Sequence, residues 1–171
     1  MRKVFIIVTL ICLNSLNAVA QGWTFEREGI EYVIELPSAT WRVVSRVDLH
    51  EHVDFVNGKN EANGYLRPTK ILVDVDTTAA NLFQKDEKWN LQHLPGYVLC
   101  SDCSGEAFRG HLSGATFSYE YTSRGRTVSG RVYYLQIDKR TFYALRFTVD
   151  QDKLRGLREQ MDFIARSFRL K

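Results

Sequence analysis

The fold is decided by the stretch GATFSYEYTSRGRTVSGRVYYLQIDKRTFYALRFTVD at residues 114–150. Near its start, Phe117, Tyr119 and Tyr121 alternate with polar residues, and this period of two is typical of a half-buried strand. Two short turns, rich in charged and small residues, divide the rest into two more segments of strand character. The stretch therefore predicts three consecutive antiparallel strands, at residues 115–122, 127–137 and 141–149.

An amphipathic helix and a short closing strand follow the third strand. Five apolar residues fall on one face of a helix near residues 151–165, namely Leu154, Leu157, Met161, Ile164 and Ala165. An earlier helix is predicted near residues 78–93, because the hydroxyl of Thr77 or Thr78 can accept a hydrogen bond from an early helical amide. We expect that helix to end before Pro95-Gly96.

The third strand carries apolar side chains on both of its faces. Phe142 and Ala144 point one way, whereas Tyr143, Leu145 and Phe147 point the other way. A strand of this kind needs cover on both faces, and two helices are available to provide it. The predicted fold class is therefore α+β, an α/β/α sandwich with a central, mainly antiparallel sheet, formed by one domain over Trp23–Leu170.

The first half of the chain carries weaker signals. Strands are predicted at residues 23–27, 30–36, 41–47 and 71–75. Residues 48–65 have the least regular pattern and contain Asn57-Gly58 and Asn63-Gly64, both of which are typical of turns. We expect a long polar hairpin or loop there.

The N-terminus has the three parts of a secretory signal peptide. Two basic residues precede an apolar core at residues 4–16, and Ala18-Val19-Ala20 forms a cleavage site. We expect residues 1–20 to be removed, which leaves one exported domain, residues 21–171, in the periplasm or outside the cell. The apolar core is shorter than the ~20 residues of a membrane span, and we expect no transmembrane segment in the mature chain.

The balance of charged residues indicates which kinds of partner the protein can bind. The chain of 171 residues has 23 basic and 20 acidic residues. Loss of the signal peptide removes two basic residues and no acidic one, which leaves a formal net charge of +1. A nearly neutral chain lacks the basic excess of a nucleic-acid-binding protein, so we expect no nucleic-acid partner.

Several short patterns resemble the PsbP-like domains. They are Gly29-Ile30-x-Tyr32 leading to Leu36-Pro37 and Trp41, Gly114-Ala115-x3-Tyr119-x-Tyr121, Arg131-x-Tyr133-Tyr134-Leu135, Phe142-Tyr143-x-Leu145-x-Phe147 and Ile164-Ala165-x-Ser167-Phe168. This family includes PsbP of the oxygen-evolving complex, the Mog-type Ran-binding proteins and many exported bacterial proteins without assigned activity. The resemblance implies an α/β/α sandwich whose characterised members act by binding proteins rather than by catalysis.

The motif Cys100-Ser-Asp-Cys103 contains both cysteines of the mature chain. A local disulfide between them is the favoured interpretation, because export places them in an oxidising compartment. A thioredoxin-type redox pair is a second interpretation, but no helix is predicted to follow the motif. A metal site completed by His93 and His111 is a third, although the spacing matches no zinc motif.

Two further groups of side chains are candidate sites. His50 and His52 would lie on one side of an extended segment and could ligate copper or zinc, but two exposed loop histidines are the favoured interpretation. Arg124, Arg126 and Arg131 lie around the late hairpins and form a candidate binding patch for an anion or a protein. The chain has no Gly-x-Ser-x-Gly nucleophile motif, and the sequence assigns no catalytic residue, cofactor or metal.

Two functional hypotheses follow. The leading one is an exported, non-enzymatic binding or accessory protein that docks on a protein or envelope partner. The alternative is an exported thiol–disulfide or metal-handling protein that uses Cys100 and Cys103.

Overall fold

The computed structural model describes residues 22–46, 52–100 and 105–171. Two α-helices lie in these ranges, α1 at Ala79–Trp89 and α2 at Leu154–Ser167. The strands are β1 Trp23–Phe25, β2 Tyr32–Leu36, β3 Trp41–Arg46, β4 His52–Asn57, β5 Tyr65–Leu72, β6 Val98–Leu99, β7 Glu106–Arg109, β8 Ser113–Ser123, β9 Arg126–Gln136, β10 Thr141–Asp150 and β11 Arg169–Leu170. No helix in the described ranges is long and apolar enough to cross a membrane.

Eight of these strands form a central antiparallel sheet. Its order is β3-β4-β5-β10-β9-β8-β6, and β7 also pairs with β8. The strands β8, β9 and β10 are the three predicted from the alternating pattern, and each pairs with the next. The prediction of a mainly antiparallel sheet is therefore confirmed.

Helix α1 covers one side of this sheet, which we call the outer face. The Oγ1 atom of Thr78 accepts a hydrogen bond from the backbone amide of Asn81 at 3.2 Å, and this interaction caps the helix as predicted. Leu82 and Phe83 are buried on the sheet, where the Phe83 ring stacks on Phe117 with 3.8 Å between centroids. The α-helix ends at Trp89, and only a short 3₁₀ turn continues toward Pro95.

Helix α2 covers the opposite side, the inner face. Met161 and Ile164 are fully buried in one cluster with Tyr133, Leu145 and Phe147 of the sheet. The sheet thus has cover on both faces, as the two-sided apolar pattern of β10 required.

The inner layer also contains a second sheet that the sequence did not predict. Strands β1 and β2 do not join the central sheet but form a three-stranded sheet with β11. The second strand of the chain therefore pairs with the last one, as in the pairing of Val33 with Arg169. Phe25, Ile34 and Leu36 of this small sheet pack in the same cluster as α2.

The segment predicted as a long polar hairpin or loop contains a strand that forms a hairpin with the next one. Residues 52–57 form β4, and β5 begins at Tyr65 rather than at Ile71. The sequence pattern concealed β4 because Asp54, a charged residue, lies at its centre and is fully buried. Pro68 is tolerated within β5 because, among the described residues, the pairing of β4 with β5 extends only to Leu66, so the missing amide of Pro68 costs no described hydrogen bond to β4.

A two-residue turn joins β8 to β9. Arg124 and Gly125 both have positive φ, 51° and 74°, which is the backbone of the turn type that suits a tight hairpin. The turn sets the register in which Ser123 pairs with Arg126 and Tyr121 with Val128. These residues border the site described next.

Candidate functional site: a groove on the outer face

Helix α1 covers only part of the outer face of the central sheet. Beyond it lies a concavity of about 660 Å³. Its floor comes from five strands, β3, β4, β8, β9 and β10, through Val44, Val56, Tyr121, Val128 and Thr148. We call this concavity the groove. The β8–β9 hairpin lies on one side of it, and the β3–β4 end of the sheet lies on the other.

Charged side chains form the rim of the groove. Four of them are cations and two are carboxylates: Arg42, Lys59, Arg124, Arg126, Glu61 and Asp150. Arg42 and Lys59 belong to the β3–β4 side, whereas Arg124 and Arg126 belong to the β8–β9 hairpin. The rim therefore has an excess of positive charge on both sides.

The Arg42 guanidinium is held in place by backbone carbonyls. Its Nε donates to the carbonyl of Gly58 at 2.9 Å and its Nη2 to the carbonyl of Lys59 at 2.7 Å. Because both acceptors are neutral, the cation is positioned without a carboxylate partner. Its Nη1 has no hydrogen-bond acceptor in the described part of the chain.

The cation on the hairpin stem has a partner. Arg126 Nη1 lies 3.1 Å from Asp150 Oδ2, and Lys153 Nζ lies 3.8 Å from the same oxygen. Asp150 therefore already faces two cations. Arg124 at the turn and Lys59 make no ion pair within residues 22–46, 52–100 and 105–171.

A chain of paired charges separates the groove from α1. Arg67 on β5 lies directly opposite Arg146 on β10 in the register of the two strands. Arg67 binds Asp54 through two hydrogen bonds of 3.0 Å, and this interaction raises the pKa of the Arg67 guanidinium. Arg146 forms an ion pair with Asp86 of α1.

The environment of Asp86 shifts its pKa in two opposing ways. Burial raises the pKa of this carboxyl, but the Arg146 charge and the hydrogen bonds from Tyr134, Arg146 and Asn90 lower it by more. The net result is a pKa below the ordinary value. Asp86 is thus an ionised anchor between α1 and the sheet rather than a carboxyl poised to exchange protons.

Arg131 does not belong to the surface patch in which the sequence placed it. Only 3% of this residue is exposed, and it points to the inner face, where it donates hydrogen bonds to Tyr133, Ser118 and Asp162. Arg124 and Arg126 do lie together at the rim of the groove. Their neighbours Arg42 and Lys59 were missed, because they are distant in sequence and no motif connects them.

Cys100, the first residue of the cysteine motif, lies at the edge of the sheet. Both β6 and β7 pair with β8, and the amides of Cys100 and Gly105 donate to the carbonyls of Ser118 and Thr116 at 3.0 and 2.9 Å. Cys100 and Gly105 therefore both lie against β8, directly before the β7–β8 hairpin. Cys103 lies outside the described residues, so the bond to Cys100 stays a prediction.

The predicted histidine pair is only partly within the described ranges. His50 lies outside them, and His52 is described only as the first backbone position of β4, opposite Arg46. In the described part of the chain, no three His, Cys, Asp or Glu side chains are grouped in a way that could hold a metal ion.

Two helices on opposite faces of an antiparallel sheet define an α+β sandwich of the PsbP-like kind. Three solved structures with this architecture are similar to the chain over most of its length. LpqN of Mycobacterium tuberculosis, described as involved in cell envelope biogenesis, is 20% identical with a TM-score of 0.56, and the match covers 88% of this chain and 91% of LpqN. Cyanobacterial PsbP (CyanoP) from Synechocystis sp. PCC 6803 is 16% identical with a TM-score of 0.59, covering 93% and 99%.

The third structure is the Ran-binding protein Mog1p of Saccharomyces cerevisiae, 10% identical with a TM-score of 0.57 over 88% of this chain and 96% of Mog1p. No protein-family model matches the chain, and no curated protein matches its sequence. At these identities the likeness establishes the fold alone. The chain has the PsbP-like fold that its sequence patterns predicted.

Proposed function

We propose that this chain is an exported, non-enzymatic binding protein that docks on a protein partner of the cell envelope through the groove. The observation that carries the proposal is the part of the outer face that α1 leaves open. A concavity of about 660 Å³ there combines an apolar floor with a cationic rim. Concave surfaces of this composition are typical of binding sites.

Three further observations support the proposal. The signal-peptide pattern of residues 1–20 favours export. One neighbour in fold is described as a Ran-binding protein, and another as involved in cell envelope biogenesis. Between α1 and the sheet, the charged groups Asp86 and Arg146 are engaged with each other as a structural pair. These points favour binding over catalysis.

The test is site-specific photocrosslinking in the cells that make the protein. A benzophenone amino acid replaces Tyr121 on the floor of the groove or, as the matched control, Phe163 on α2, an aromatic residue with 43% exposure on the opposite side of the sheet. We expect a discrete protein adduct in the envelope fraction from position 121 and none from position 163. Equal labelling from both positions would overturn the proposal, as would turnover of ester, peptide or disulfide substrates that depends on one residue.

A further inference from the structure

We infer that the groove takes an acidic, extended polypeptide segment, whose carboxylates meet the rim and whose apolar side chains reach the floor. The inference rests on the proposed function and names the chemistry of the partner. It follows from three features of the groove: the distance between its cations, the fixed position of the Arg42 guanidinium, and the composition of the floor.

The cations stand on two separated sides. In the sheet order, β4 is three inter-strand spacings from β9, which amounts to roughly 15 Å. A single small anion would reach one pair of cations, Arg42 with Lys59 or Arg124 with Arg126. A polypeptide with several carboxylates can engage both sides at once. The separation therefore favours an extended acidic ligand.

The guanidinium of Arg42 is preorganised to bind a carboxylate. Two backbone carbonyls fix its guanidinium plane, no carboxylate in the described ranges neutralises it, and its Nη1 stays available. Less side-chain entropy is lost on binding when the cation is already held in position. Guanidinium groups bind carboxylates in a planar, charge-assisted geometry, so Arg42 is the expected anchor for one acidic side chain.

The floor of the groove favours a polypeptide over other polyanions. Val44 and Val128 offer partly exposed apolar surface, and Tyr121 adds an aromatic ring beside them. Burial raises the pKa of Tyr121, so its hydroxyl stays a neutral donor and acceptor at physiological pH. Alternating acidic and apolar side chains of an extended segment would match such a rim and floor.

Two other polyanions fit the groove less well. Nucleic-acid binders carry a broad basic excess, whereas this chain has a formal net charge of only +3. An anionic lipid surface is flat on the scale of this site. Such a surface would contact the rim of the groove but would not reach its floor. The excess of charge on the rim is thus local and is matched to a narrow ligand.

The test measures binding of fluorescent poly(glutamate, tyrosine), a random copolymer, to the purified mature chain. The variant reverses two rim charges, Lys59→Glu with Arg124→Glu, and the matched control reverses two exposed charges on the opposite side of the sheet, Arg155→Glu with Arg166→Glu on α2. A single exposed ion pair is weak, but the double reversal turns two attractions into two repulsions. We therefore expect it to weaken binding about tenfold or more, and the control to change binding less than about twofold. Wild-type affinity is expected to fall as salt is added.

Each outcome has a clear consequence. Equal loss of binding in the variant and the control, or no binding by the wild type, overturns the inference. Binding of phosphatidylglycerol vesicles through the same rim residues, without binding of the copolymer, overturns it in favour of a lipid surface. The Tyr121 crosslink separates the two proposals: if the adduct persists in the charge-reversed chain, the proposed function stands and the acidic partner does not. Thermal unfolding of each variant confirms that it is folded, and the salt titration of the wild type tests the inference without any variant.

Discussion

Arg131 on β9 and Asp162 on α2 form an ion pair of 3.2 Å that joins the central sheet to the helix on its inner face. Arg131 is almost fully buried, and the Tyr133 hydroxyl donates to the same carboxylate. A guanidinium in this position is tolerated only because its hydrogen bonds are satisfied by the side chains around it. The pair is therefore a structural connection between two layers of the sandwich.

Removal of the carboxylate should destabilise the domain. In the variant Asp162→Ala, the buried Arg131 charge loses its nearest anion, and the free energy of unfolding should fall by about 3 kcal/mol. Urea denaturation measures the change. Glu159→Ala, an exposed position on the same helix, serves as the control and should stay within about 0.5 kcal/mol of the wild type. A loss in the Asp162 variant no larger than in this control would contradict the structural role.

Asp86 should make stability depend on pH in the acid range. Its pKa is lowered in the folded state, so its ionised form contributes stability that is fully present above the unfolded value near 3.9 and is lost as pH falls through the lower folded value. The variant Asp86→Asn should therefore be less stable than the wild type at neutral pH, and the gap should narrow below about pH 4. Urea titrations at several pH values measure this gap. A difference in stability that widens as the pH falls would show that the folded-state pKa of Asp86 is raised rather than lowered.

Two glycines offer a matched test of backbone packing. A Cβ atom on Gly114 would lie 1.9 Å from the carbonyl oxygen of Tyr134, whereas one on Gly156 would have no atom within 4 Å. We expect Gly114→Ala to disrupt the pairing of β8 with β9 and to destabilise the domain by about 3 kcal/mol or more. Gly156→Ala, inside α2, should instead stabilise it by about 0.5–1 kcal/mol. Differential scanning calorimetry of both variants checks the two signs, and similar melting temperatures would contradict the described packing.

The predicted bond between Cys100 and Cys103 should matter little for folding. Closing so short a loop gives about 2 kcal/mol by the chain-entropy estimate, less any strain. Replacement of both cysteines by serine should lower the melting temperature slightly and leave the fold intact. Intact mass spectrometry of the exported protein, with and without alkylation, tests the bond itself. Two alkylatable thiols in the native compartment would exclude it.

The last third of the chain was predictable because its signals are local. Alternation along Phe142–Val149 reports directly that both faces of β10 are covered, and the structure places α1 against Phe142 and α2 beside Leu145 and Phe147. The strand β4 was missed for the opposite reason. Its central Asp54 is a charged residue, which local patterns assign to the surface, and contacts with residues such as Arg67 and Tyr65 make its burial tolerable.

The site could be predicted only in part. Arg124 and Arg126 were placed together because a two-residue turn keeps them close, and the structure has both at the rim of the groove. Arg131, although nearby in sequence, has the opposite orientation along β9, since successive side chains of a strand alternate between faces. Its partner Asp162 could not be identified from the sequence, because nothing local connects β9 with α2.

The sequence by itself determined which segments form the late strands and the helices, because hydrophobic period and capping residues are properties of neighbouring positions. It also determined that the sheet is covered on both faces. Only the tertiary structure decided that β2 lies between β1 and β11 in a separate sheet and that Arg42 shares a groove with Arg124. These arrangements depend on contacts between distant parts of the chain, whose free energy comes from the packing of whole layers rather than from any short pattern.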